Sequence, residues 1–184
     1  MSPDIESKYQ AVIGLEVHAQ MLTKSKAYSS DINEFGANPN SNVSVVTLGH
    51  PGTLPKMNRK TIEFAIKLGL ACKSDIAESQ YFARKNYFYP DMPKGYQITQ
   101  DETPICTNGK IYIKGADGNE KAISLTRIHM EEDAGKSIHD VDLHDTLVDL
   151  NRAGVPLLEI VSEPDIRSSQ EAYDYLIEIR KLVR

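Results

Sequence analysis

Cysteine is scarce. The 184-residue chain holds two, Cys72 and Cys106, far apart and in no ligand-type spacing. That excludes a disulfide framework and a cysteine-built zinc site, and it suits a reduced, cytoplasmic protein. No apolar run approaches the roughly 18–20 residues of a membrane-crossing helix. Met1-Ser-Pro-Asp-Ile-Glu-Ser7 has neither the basic start nor the apolar stretch of a signal peptide. Excess positive charge is missing too: the net charge is −5, which argues against broad phosphate-backbone binding by this segment. No G-x-G-x-x-G, G-x-S-x-G or H-E-x-x-H occurs, and Gly135-Lys-Ser137 has Met130 where a phosphate-binding P-loop needs glycine. These absences remove dinucleotide folds, the common hydrolases and the zinc proteases from consideration.

What remains is a globular composition, 40% hydrophobic and 26% charged, without repeats or low-complexity tracts. One stretch concentrates its chemistry. Arg127-Ile-His-Met-Glu-Glu-Asp-Ala-Gly-Lys136 follows a strand-like run and packs three consecutive acids with a histidine, an arginine and a lysine. Ile128 and Met130 alternate with Arg127, His129 and Glu131, which sets those three polar side chains on one face of an extended strand.

Two other segments share this pattern. From Tyr9 to Met21, Ile13, Leu15, Val17, Ala19 and Met21 alternate with Gly14, Glu16, His18 and Gln20. Alone, that is an ordinary half-buried strand with polar residues outward. From Val155 to Glu163, Leu158 and Ile160 oppose Glu159. If the three strands share one antiparallel sheet, Glu16, His18, His129, Glu131 and Glu159 converge on one open face. A carboxylate-rich set with one or two imidazoles suits Mg²⁺ or Mn²⁺ with phosphate ligands. Arg84, Lys85, Lys136 and Arg152 are then candidates to neutralise a phosphoryl group.

The remaining segments fill in an α+β domain. Residues 23–43 form a long polar loop, and Ser44–Gly49 reads as a short strand before the Pro51-Gly52 turn. A helix starts at Asn58 with Ile62, Ala65, Ile66, Gly69 and Leu70 on its apolar face, although Arg59 and Lys60 oppose its dipole. Arg84-Lys-Asn-Tyr-Phe-Tyr-Pro-Asp-Met-Pro93 either wraps a phosphate and a ring or covers the core edge with its tyrosines. Tyr96–Thr99 is a strand, and 110–114 and 121–131 make a hairpin around a loop containing Asp117 and Gly118. His139 and His144 belong to an exposed acidic loop, and 146–151 is a further strand. The capping box Ser168-x-x-Glu171 opens a last helix with Ala172, Tyr173, Leu176, Ile179 and Val183 as its stripe.

Several of these motifs occur together in a known order. Ile13-Gly-Leu-Glu-Val-His18, Pro51-Gly-Thr-Leu-Pro55, Arg84-Lys-Asn-Tyr-Phe-Tyr-Pro-Asp91, Tyr96-Gln-Ile-Thr-Gln100, His129-Met-Glu-Glu-Asp-Ala-Gly-Lys136, Asp149-Leu-Asn-Arg152 and Leu158-Glu-Ile-Val-Ser-Glu-Pro-Asp165 resemble the B-type (GatB) members of the aspartyl/glutamyl-tRNA amidotransferases. The archaeal E-type members share several of them. The resemblance implies an ATP-dependent enzyme that converts misacylated Glu-tRNA(Gln) or Asp-tRNA(Asn) to the amidated form. Its implied partners are an A-type amidase and a bridging C-type chain, together making a heterotrimer, and the tRNA, with no membrane. A domain of another class, which only docks on the amidase or tRNA, is the competing reading. The implied fold is an open antiparallel sheet with flanking helices, cradle-like and similar to the glutamine synthetase and guanidino kinase core. Residues 1–184 would be the N-terminal part of that cradle, with the rest of the cradle, a helical domain and a tail lying beyond, so the segment alone is expected to be inactive.

By the same resemblance, the metal and phosphate chemistry falls on Glu16, His18, Glu131, Glu132 and Glu159. Strand alternation selects all of these except Glu132, which it turns away. Glu16, Glu132, Lys85 and Tyr87 are the implied catalytic residues, with His18, Glu131 and Glu159 on Mg²⁺. Arg84, Tyr89, Lys136, Asn151 and Arg152 are implied on the substrate and phosphates. Many relatives carry a four-cysteine zinc knuckle where this chain has Ser29, Asp31, Ser44 and Thr47. Neutral hydroxyls do not replace thiolates on Zn²⁺, so no zinc and a mobile 23–43 loop are expected.

Overall fold

A computed structural model describes residues 8–115 and 118–184. Asp117, placed by the sequence in the hairpin loop, lies outside the described residues, as does Met1–Ser7. Among the described residues, ten strands and two helices follow in order: β1 (Glu16–Gln20), α1 (Arg59–Ala71), β2 (Asp75–Ile76), β3 (Ala83–Asn86), β4 (Tyr96–Thr99), β5 (Cys106–Thr107), β6 (Lys110–Lys114), β7 (Glu120–Glu132), β8 (Lys136–Ile138), β9 (Leu147–Asp149), β10 (Pro156–Ser162) and α2 (Ser169–Leu182). The main sheet runs β1-β10-β7-β5-β2, with β6 also pairing β7, and every pairing is antiparallel. Two separate hairpins, β3–β4 and β8–β9, complete the strands.

The long β7 organises the sheet. Its first half pairs with β6, its second half with β10, and β5 joins at Ile128 and Arg127. Side chains alternate across a strand, so Ile128 and Met130 enter the core with Leu158 and Ile160 of β10. Ala65 and Leu68 of α1 and Tyr175 and Ile179 of α2 cover that apolar face. Gly69 lets α1 approach the sheet closely, since a Cβ there would collide with Cys106 Sγ and the Ile76 side chain.

Both helices start where expected. The Asn58 side chain accepts from Lys60 N at 2.9 Å and the Ser168 hydroxyl from Glu171 N at 3.1 Å. Glu171 in turn accepts from Arg167 N and pairs with Lys121. Glu63 answers both unfavourable cations of α1, lying 3.4 Å from Arg59 Nε and 2.7 Å from Lys60 Nζ. The expected stripes need correction. Leu68 rather than Leu70 is buried in α1, and Tyr175 replaces the exposed Tyr173 and Leu176 in α2. Packing partners on the sheet select the buried arc from faces of nearly equal apolarity.

Ser44–Gly49 is not a strand. It folds into a turn closed by Leu48 N donating to Ser44 O and His50 N to Val45 O. A strand there would need its Ser44 N–H for a neighbour, but Asp31 Oδ2 accepts it at 2.9 Å. Nor is the 23–43 loop loosely held. Asn40 exchanges hydrogen bonds with Val148 O, Leu150 N and Asp149, and Asn42 N donates to Asn151 Oδ1. Buried Lys26 donates to Asn42 O at 2.7 Å. These long-range bonds dock the loop on β9 and the segment that follows it.

Candidate functional site

The sheet face opposite the helices carries the candidate centre. His18 of β1, Glu159 of β10 and His129 of β7 occupy one rung, because His18 pairs with Glu159 and Glu159 with His129. Glu131 lies two residues along β7 on the same face. His18 Nε2 is 3.3 Å from Glu159 Oε2, and His129 Nε2 is 3.5 Å from that oxygen and 4.0 Å from Glu131 Oε2. Lys85 reaches in from β3, its Nζ 3.4 Å from Glu131 Oε1.

Strand ends are held so that Glu131 keeps its place. Beyond Ile128, β7 has outrun β5 on one edge, and side chains take over the ladder. Gln100 Oε1 accepts from Met130 N at 3.0 Å, and Gln97 Nε2 donates to Glu132 O at 2.9 Å. Gln20 at the end of β1 donates to Asp133 at 2.7 Å. Gln97 and Gln100 are positioning residues that strand periodicity could not identify. Glutamines beside a short strand are an ordinary sequence feature.

Electrostatics set the centre apart from a solvated face. Glu131 and Glu159 are 1% and 7% exposed, while His18 opens to solvent. Burial raises the Glu131 carboxyl above the usual range; Lys85 opposes this, and a hydrogen bond with Glu159 adds to it. Burial acts against Glu159 as well, but His129, the Glu131 bond and His18 outweigh it and hold Glu159 below its usual range. Of the two, Glu131 holds a proton more tightly and Glu159 keeps its charge more readily. His129 is pushed down to about 4, chiefly by burial, and is neutral near pH 7.

One donor atom from each of His18, Glu131 and Glu159 lies within 4.8 Å of the other two, and this set is the one group among the described residues arranged to hold a metal ion. Ligands about 2.1 Å from an octahedral ion lie roughly 3–4 Å apart, so small side-chain adjustments suffice. Two carboxylates and one imidazole, open to solvent on the histidine side, fit a hard divalent cation that retains water or phosphate.

The other sequence candidates divide. Glu16 shares the strand face of His18 but is exposed and stands outside the three-residue group. Glu132 leaves the opposite side of β7. Its Oε1 accepts from Ile98 N at 2.9 Å and pairs with Lys94 in a buried ion pair near Lys26 and Tyr28. The alternation of β7 thus keeps Glu132 away from the cation group. Tyr87 packs against Tyr89 with ring centroids 4.9 Å apart and planes tilted by 36°. Burial and the charge of Asp91 raise its hydroxyl, with Lys85 and Arg152 acting the other way. Arg84 lies over the Tyr96 ring at 5.0 Å.

Three candidates are spent on the scaffold or stand apart. Arg152 donates to Ala134 O at 2.8 Å and Gly135 O at 2.6 Å. Asn151 bridges Asn38 O and Asn42 N. Lys136 is exposed at the start of β8, opposite Asp149.

Ser29, Asp31, Ser44 and Thr47 do meet. Asp31 Oδ2 accepts from Thr47 Oγ1 at 2.5 Å as well as from Ser44 N, and the Ser29 and Thr47 hydroxyls are 3.3 Å apart. Burial opposes the Asp31 charge, but these hydrogen bonds and Lys26 keep its carboxyl below the usual range. A hydrogen-bonded carboxylate joins the two loops at this point.

The chain is 56% identical over 176 residues to the Bdellovibrio bacteriovorus protein named as the B component of aspartyl/glutamyl-tRNA(Asn/Gln) amidotransferase, covering 96% of this chain and 36% of that one. Proteins of the same name from Myxococcus xanthus and Azotobacter vinelandii are 56% and 54% identical over 177 and 178 residues, each covering 96% of this chain. The chain spans 37% of the length of both. Residues 11–184 match the family model described as the GatB/GatE catalytic domain, and the chain belongs to that family.

Proposed function

We propose that this chain forms the cation- and phosphate-binding wall of a glutamine-dependent amidotransferase acting on misacylated Glu-tRNA(Gln), Asp-tRNA(Asn) or both. The observation that carries the reading is the convergence of His18, Glu131 and Glu159 from three strands, with Lys85 at its edge. In this reaction a side-chain carboxylate oxygen attacks the γ-phosphorus of ATP and ADP departs. Ammonia then attacks the acyl carbon, phosphate leaves with the C–O bond electrons, and a proton is lost. A Mg²⁺ ion held by His18, Glu131 and Glu159 would supply charge neutralisation at the phosphates. Lys85 sets a further positive charge beside Glu131, and Tyr87 and Tyr89, on the segment that follows β3, are the aromatic candidates for contact with a base or sugar. Glu16 stands at the exposed rim, where it can meet the substrate side of the site.

Ammonia would come from an A-type amidase, with a C-type chain bridging the assembly in the cytoplasm. Buried free thiols at Cys72 and Cys106 agree with a reducing compartment. The cradle resemblance to glutamine synthetase is part of this proposal, supported by the open antiparallel sheet. The Asp31 hydrogen-bond net supports a protein without structural zinc. An E-type protein is the alternative within the family. A purely docking domain is disfavoured, because docking has no use for two buried carboxylates that converge with an imidazole.

The test is ATP-dependent phosphorylation of Glu-tRNA by the full complex, read as ADP formed per acylated tRNA. Glu131→Gln and Glu159→Gln should each lower the rate by at least a hundredfold. Rates matching the unaltered complex would remove both residues from the reaction.

A further inference from the structure

His129 sits within the candidate centre, yet its place there is not that of a ligand. It is 4% exposed and stands on the same rung as His18 and Glu159. Its Nδ1 accepts a hydrogen bond from Arg127 Nε at 3.3 Å. A ring nitrogen that accepts must carry a free lone pair, and the neutral ring then bears its hydrogen on Nε2. That Nε2 is the atom lying 3.5 Å from Glu159 Oε2 and 4.0 Å from Glu131 Oε2. With a hydrogen there, it has no lone pair for a cation, and the nearest acceptor it faces is Glu159 Oε2. The exposed ring of His18 is under no such constraint from Arg127.

We propose that His129 is a positioning residue, locked by Arg127 as the Nε2–H tautomer, whose hydrogen orients Glu159, and through it Glu131, toward a divalent cation shared with His18. This rests on the reading of His18, Glu131 and Glu159 as a cation site. The physical reason is directional. Each carboxylate oxygen has two lone pairs, and a donor fixed on one side leaves the other aimed at the ion. Outer partners of metal ligands commonly change metal affinity by about 10–100-fold when removed. Arg127 acts through the imidazole, since its charge alone would repel the ion.

Mn²⁺ alone, titrated into the full chain and followed by electron paramagnetic resonance, tests the arrangement. His129→Leu should weaken binding at least tenfold. His129→Gln, whose side-chain N–H can occupy nearly the place of Nε2–H, should return to within about threefold of the unaltered chain. Arg127→Met is the second variant and keeps an unbranched side chain at this half-buried position. Loss of its charge favours Mn²⁺, so weaker binding would report the lost tautomer lock. Nitrogen-15 spectra should show His129 Nδ1 as the unprotonated nitrogen in the unaltered chain and a tautomer mixture in Arg127→Met.

Equal losses in Leu and Gln would mean that His129 only fills space. Unaltered affinity in His129→Leu, equal or tighter binding in Arg127→Met, or a protonated Nδ1 would each overturn the proposal. No Mn²⁺ binding by the unaltered chain would instead remove the cation site, and the positioning role with it.

Discussion

Lys94→Met decides whether Glu132 belongs to the scaffold or to the chemistry. The Lys94 and Glu132 side chains are 5% and 2% exposed, and Glu132 Oε1 also accepts from Ile98 N. Removing one partner of such a pair strands a buried charge, at a cost of about 3–5 kcal/mol. The Ile98 N–H and the nearby Lys26 charge remain to Glu132, which puts the expected loss near the lower end, about 3 kcal/mol. For a domain of this size that is a fall in Tm of roughly 6–12 °C. Calorimetry of Lys94→Met, Glu132→Leu and the double variant gives the cycle. The double variant should recover most of the Lys94→Met loss, because no charge is then left unpaired. Mn²⁺ affinity of folded Lys94→Met should match that of the unaltered chain, since Glu132 leaves β7 on the other side from Glu131. An unchanged Tm in Lys94→Met would refute the argument. So would a Glu132→Gln variant of full stability that no longer binds Mn²⁺.

Lys26 is pushed down to about 8 by burial, despite Asp31, Glu132 and Asp149. Its folded pKa lies below the unfolded value of 10.5, so the native state releases the proton first and stability attributable to Lys26 rises with pH between about 8 and 10.5. Urea unfolding should show this as a gain of up to roughly 3 kcal/mol relative to Lys26→Met between about pH 7.5 and 10.5; parallel pH profiles would contradict it. Asp31→Ala should cost about 1–3 kcal/mol by stranding the Ser44 N–H. It should also speed hydrogen exchange at Ser44, and full protection there would argue that the Asp31 net is not what joins the two loops. The raised Glu131 carboxyl must lose its proton to take a cation. Mn²⁺ affinity should therefore climb with pH through the acid range, with proton release visible by calorimetry in buffers of different ionisation heat. Affinity that falls as pH rises would exclude Glu131 as a ligand.

Strand periodicity made much of the site legible. Alternation around Ile128 and Met130 is a local property of the extended chain, so Arg127, His129 and Glu131 could be assigned to one face and Glu132 to the other without knowing any partner. Family motifs alone had drawn Glu132 into the site. Helix starts at Asn58 and Ser168 were equally local, since a cap bonds within its own first turn. Buried arcs were not, because Leu68 and Tyr175 face inward only through what the sheet presents to them.

Register is non-local, and it decided the rest. That His18, Glu159 and His129 fall on one rung depends on how three strands far apart in sequence align. Lys85 reaches Glu131 only because the β3–β4 hairpin docks beside the end of β7. The same folding spends Arg152 and Asn151 on loop carbonyls and amides, and fastens the polar 23–43 segment through Asn40, Asn42 and Asp31. From its sequence alone, this protein could be known to carry acids and imidazoles on alternating strands. Which of them come within reach of one cation, and which are buried as ion pairs, was set by strand register and loop docking, where contacts between distant residues outweigh local preference.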